Sequence, residues 1–107
     1  MDNQHRKIAG YRELSQPEID LMNEIKALGP VIEEVIIKVG KHIDSQIAAV
    51  EAACNPATAT SESVEKAQAE IERLEDATPT RFQAAAKADF QTALMLLTRA
   101  VAQPTFF

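Results

Sequence analysis

From Leu21 to Val50 the apolar residues recur at steps of three and four: Leu21, Ile25, Leu28, Ile32, Val35, Ile36, Val39, Ile43, Ile47 and Val50. That spacing gathers side chains on one face of an α-helix and would scatter them over both faces of a strand. No segment alternates apolar and polar residues over strand lengths, and glycine occurs only at Gly10, Gly29 and Gly40. The fold class is therefore all-α.

Residues that start and stop helices divide the pattern. Ser15-Gln16-Pro17-Glu18 has the S-x-x-E spacing of a capping box, with proline in the first turn, where its missing N–H costs nothing. The helix it opens runs to about Cys54 and stops at Asn55-Pro56. Residues 55 to 61 form a linker, after which Ser61 or Ser63 caps a second helix to about Asp76, with Val64, Ala67, Ile71 and Leu74 as a thin apolar stripe. Thr78-Pro79 reads as an N-cap followed by proline at the first helical position, opening a last helix to about Gln103, before Pro104. The expected architecture is two long antiparallel helices, one or both interrupted, preceded by an N-terminal segment of about a dozen residues. All 107 residues make a single domain.

The last helix sets a further condition. On a 100° wheel Phe82, Ala86, Phe90, Ala93, Leu94, Leu97, Ala100 and Val101 share one face, whereas Met95 and Leu96 point outside it. A helix that is apolar on every side has to be covered on every side, and in so short a chain the cover comes from another copy. A homo-oligomer is expected. The competing arrangement is a monomer whose wide stripe is covered by the N-terminal segment folding back.

The chemistry on offer is sparse. A single cysteine, Cys54, excludes an internal disulfide, and His5 and His42 lie too far apart to ligate a metal from adjacent turns. No nucleophile and base stand at a recognisable spacing, and no glycine loop cradles a phosphate, so neither an enzyme nor a cofactor is expected. Cys54 reads as a small packing residue at a helix end, and His42 as a surface residue. No apolar run approaches a membrane span and the N-terminus lacks a signal peptide's apolar middle, so the protein is expected to remain in the cytosol.

A net charge of -5 argues against binding DNA or RNA polymers. Its distribution is uneven. Glu62, Glu65, Glu70, Glu72, Glu75 and Asp76 against Lys66 and Arg73 place -4 in the middle, whereas Arg6, Lys7 and Arg12 face only Asp2 in the first twelve residues. Tyr11, the only tyrosine, sits in that basic stretch, as an aromatic that stacks on a nucleobase beside a phosphate would. Lys26 falls between Ile19 and Met22 on the wheel, at the border of a second apolar patch. Taken by themselves, both are more simply accounted for by a capping aromatic at the helix start and a lysine extending into solvent.

Met1 to Lys26, MDNQHRKIAGYRELSQPEIDLMNEIK, and Arg81 to Pro104, RFQAAAKADFQTALMLLTRAVAQP, closely resemble the phage anti-CBASS cyclic-oligonucleotide sponges. The resemblance covers about half of the chain, at its two ends. It implies a compact homohexamer in the cytoplasm of an infected bacterium that sequesters signalling nucleotides without degrading them and so blocks CBASS immunity. Cyclic dinucleotides such as 3',3'-cyclic GMP-AMP would bind between protomers, and cyclic trinucleotides such as cyclic tri-adenylate at a separate site. A family tyrosine and lysine match Tyr11 and Lys26; Arg81 and Lys87 fall in the stretch that matches the family's basic C-terminal helix and are candidates for the trinucleotide site.

Two departures bear on the pockets. Gly29-Pro30 follows Lys26 where the family helix runs on, and residues 62 to 76 add an acidic stretch that would weaken any nearby phosphate site. The competing functional class is a helical oligomeric scaffold or interaction protein with no small ligand; a third is a single-stranded nucleic-acid binder.

Overall fold

The computed structural model describes residues 12–105, which form three helices and no strand. Helix α1 spans Gln16–Ala53, α2 Ser61–Ala77 and α3 Pro79–Ala102. The first long arm is unbroken. The return arm is broken once, at Thr78, so the proline at 79 separates α2 from α3. Pro30 lies inside α1 without ending it, although a proline there supplies no N–H to the Lys26 carbonyl.

Two compact units divide the contacts, one joining residues 1–33 to 88–107 and the other comprising 34–87. In the first, the arms run antiparallel: Arg12 reaches the Val101 carbonyl, and a Cβ placed on Gly29 would lie 4.0 Å from Leu94 Cδ1. Ile19, Met22, Ile25 and Ile32 pack partly, as do Leu94, Thr98 and Val101. Of this unit's described residues, none is fully buried.

The second unit holds the two buried side chains of the described chain, Ile43 and Ala67. Within it, Gln83 Nε2 donates to the Ile36 carbonyl at 3.0 Å. Gly40 makes room for that amide, since a Cβ at 40 would come within 2.6 Å of Gln83 Nε2. The part-buried positions of α3 are Pro79, Gln83, Ala86, Leu94, Thr98, Val101 and Ala102, a face turned from the expected one. Phe82, Phe90 and Leu97 are exposed as a result. Close approach at a glycine, filled by a polar side chain, decides the contact where bulk hydrophobicity would have chosen phenylalanine.

Helix boundaries follow local chemistry with small corrections. Ser15 and Glu18 form the expected box, with Ser15 N–H donating to Glu18 Oε1 at 2.8 Å. The cap of α2 is Thr60 rather than Ser61 or Ser63: Ser63 N–H donates to Thr60 Oγ1 at 3.1 Å and Thr60 N–H to Ser63 Oγ at 2.8 Å. Thr78 ends α2 in a left-handed conformation (φ 44°), its N–H donating to the Leu74 carbonyl at 2.9 Å, while its own carbonyl accepts from Phe82 N–H at 3.4 Å. It thus closes one helix as well as opening the next. Cys54 is exposed just past α1 instead of packed, because α1 ends at Ala53 and residue 54 already belongs to the turn.

A β-branched residue in the left-handed region carries a strain of about 1–2 kcal/mol. Thr78→Gly removes it and restores some freedom to the unfolded chain, for an expected net gain of about 0.5–1 kcal/mol. Chemical denaturation of the two proteins checks the sign; a less stable variant contradicts it.

Candidate functional site

The start of α1 is the most heavily bonded polar region of the described chain. Ser15 caps the helix and Glu18 returns to the Ser15 N–H, satisfying donors that a helix N-terminus otherwise leaves orphaned. Arg12 adds an ion pair to Glu18 through both carboxylate oxygens. Its guanidinium also donates to the Val101 carbonyl at 3.0 Å and approaches Gln103 Oε1 at 3.5 Å. Val101 O belongs to the last turn of α3, where carbonyls lack helix partners and the helix dipole favours a cation. One planar fork of donors thus joins the first turn of α1 to the last turn of α3.

These bonds set the charge state of Glu18. Donation from Arg12, then from the Ser15 backbone and hydroxyl, holds its carboxyl at about 2, well below its ordinary 4.5. Sequence reading counted Arg12 only as a positive charge near the N-terminus. The missing signal was its partner on α3, which no local spacing reveals.

Tyr11 lies outside the described residues. Lys26 stands about 16 Å further along the α1 axis than Ser15. Its side chain is exposed and, among the described residues, makes no hydrogen bond or ion pair. The sequence explains why. Lys38 pairs with Glu34 and Lys66 with Glu62 one turn back, whereas the neighbours of Lys26 three and four residues away are Asn23, Met22, Gly29 and Pro30. The Lys26 ammonium is left available to an outside anion.

Arg81 and Lys87 are not brought together within the chain. Both are exposed on α3, and six residues turn the helix by about 240°, placing them on different faces. Arg81 borders a groove of about 470 Å³ floored by Ile43, Ile47, Val50, Ile71 and Leu74. Glu51 and Glu75 share that border, so carboxylates outnumber the single cation. His42 is exposed as expected. Among the described residues no His, Cys, Asp or Glu cluster could hold a metal ion, and no helix is long and apolar enough to cross a membrane.

Residues 4–102 match the model of a protein family described as Acb2/Tad1, hairpin domain. Over 105 residues the chain is 42% identical to Anti-CBASS protein 2 of Pseudomonas phage JBD67, with 97% of each chain covered. The similarity therefore includes the middle as well as the two ends.

The Glu18 pairing gives a pH dependence of definite sign. A carboxyl held at about 2 in the folded chain and near 4.5 in the unfolded one stabilises the fold fully above about pH 4.5 and loses that contribution as pH falls towards 2. The melting-temperature advantage of the unaltered chain over Glu18→Gln should accordingly shrink between pH 5 and pH 2. A gap that stays constant over this range would contradict the assignment.

Proposed function

The chain belongs to the Acb2/Tad1 hairpin family, and from that premise we propose that it is an anti-CBASS sponge: a helical oligomer that binds cyclic di- and trinucleotides and withholds them from the host's defence without breaking a bond. The similarity to Anti-CBASS protein 2 over nearly all of both chains carries this reading. Lys26 supports it, as an exposed cation with no acidic neighbour one turn away on its helix.

Tyr11 stacks on a base and contributes about 1–3 kcal/mol. Charged hydrogen bonds from Lys26 to phosphate oxygens add about 1.5–3 kcal/mol each. Sequestration by mass action needs affinity near the nanomolar range, about -12 kcal/mol, so enclosure between chains supplies the remainder by excluding water from a shaped site. The separation of about 16 Å along α1 between the capped helix start and Lys26 suits a site completed by two copies. Cyclic trinucleotides are held at a second site type, with Arg81 and Lys87 contributed by different chains, as their placement on different faces of α3 favours.

Oligomerisation is part of the same proposal, with a hexamer as the expected assembly. In one chain Met95 is 71% exposed, Phe82 64% and Leu96 62%. Apolar side chains of this size contribute about 1.5–3 kcal/mol each when buried, enough in sum to drive association. A scaffold with no small ligand would need the same cover, so assembly alone does not separate the two classes.

Calorimetric titration with cyclic GMP-AMP and cyclic tri-adenylate separates them. A sponge binds, melts at a higher temperature with ligand, and releases the nucleotide chemically intact after denaturation. A scaffold does none of these. Tyr11→Ala and Lys26→Ala should each weaken dinucleotide capture by about tenfold or more while preserving the assembly's mass. Leu96→Glu should lower that mass in light scattering. Wild-type affinity in either binding variant would refute the site assignment.

A further inference from the structure

We propose that Gln83 is the positioning residue of the cyclic-trinucleotide site: its amide, bonded to the Ile36 carbonyl beside Gly40, fixes the rotation of α3 about its own axis and with it the directions in which Arg81 and Lys87 face. This rests on the reading of that site given above. All five residues belong to the unit comprising 34–87, and Gln83 lies between the two cations in sequence.

Two adjacent side chains of α3 compete for the place against α1. Burial of apolar area favours Phe82, yet Phe82 stays 64% exposed while Gln83 is part-buried. What favours glutamine is directional. Its Nε2 donates to the Ile36 carbonyl at 3.0 Å, and glycine at 40 leaves room for it, because a Cβ there would come within 2.6 Å of that nitrogen. Exchanging Gln83 for Phe82 would turn α3 by about 100°. Arg81 stands two residues before Gln83 and Lys87 four after it, so the same turn would swing both cations around the axis. Both are exposed and make no hydrogen bond or ion pair among the described residues, so their aim comes from the helix that carries them. Cations aimed in advance bind phosphate more tightly than cations that must be ordered on binding.

Gly40→Ala tests this from the opposite helix, without touching α3. The added methyl displaces the amide, whereas alanine inside a helix is itself more favourable than glycine, so the bond is lost and helicity is kept. The experiment compares the full-length wild type with Gly40→Ala, Gln83→Ala and the double variant, measuring affinity for cyclic tri-adenylate and cyclic GMP-AMP by calorimetry, helicity by circular dichroism and mass by light scattering. Each single substitution should weaken tri-adenylate binding by about tenfold, and the double variant should bind no more weakly than either, because both act through one hydrogen bond. Helicity, mass and the cyclic GMP-AMP affinity of Gly40→Ala should be unchanged. Wild-type tri-adenylate affinity in Gly40→Ala, or losses that add in the double variant, would mean that Gln83 does not act through this bond and overturns the proposal. An equal loss of cyclic GMP-AMP affinity in Gly40→Ala marks a general disturbance of the fold and overturns it as well. If the wild type itself binds no cyclic tri-adenylate, the reading of a trinucleotide site fails, and the positioning role falls with it.

Discussion

Three helices of these lengths cannot cover the apolar surface that the sequence places on them. Among the described residues only Ile43 and Ala67 are buried, while leucine, valine, phenylalanine and methionine side chains of α1 and α3 stand largely in solvent. Small domains are marginal when a single core has to offset the entropy of ordering the chain, and here that core is two side chains. In the proposed oligomer a second copy would supply what the fold lacks. In the reading developed above, assembly and ligand capture answer the same need, because the seam that removes apolar side chains from water also excludes water from the ligand.

Against that loosely covered background the polar contacts at the ends of the helices have a defined job. Arg12 satisfies an orphan carbonyl of α3 and pairs with a carboxylate that already caps α1. Three other ion pairs, Lys38 with Glu34, Lys66 with Glu62 and Arg73 with Glu70, each lie within one helix and support local helicity by about tenths of a kcal/mol. The Arg12 network instead joins elements remote in sequence, as the Gln83 bond to the Ile36 carbonyl does in the other unit. Lys26 is the counterpart of Arg12: one cation is engaged by the fold, whereas the other has no hydrogen bond or ion pair among the described residues.

The charges of the candidate site were legible in the sequence. Lys26 stood out by its position on the wheel, and the absence of acidic neighbours at three and four residues follows from the same string of letters. Arg81 and Lys87 were legible only as charges. Their placement on different faces of α3, and the sharing of the Arg81 groove with Glu51 and Glu75, depend on how helices pack. The alliance of Arg12 with Val101 and Gln103 was invisible for the same reason.

The sequence by itself determined that the chain is helical, where each helix begins and ends to within a few residues, and that Ser15 and Glu18 close a box. Those features arise from interactions spanning four residues or fewer, which spacing and proline positions encode directly. Tertiary structure decided which face of α3 packs and that Arg12 binds the far end of the chain. Burial is non-directional, so an apolar stripe states that a face wants cover without naming what covers it. Close approach at Gly40 and the pairing of Arg12 with the Val101 carbonyl exist only once the helices lie side by side.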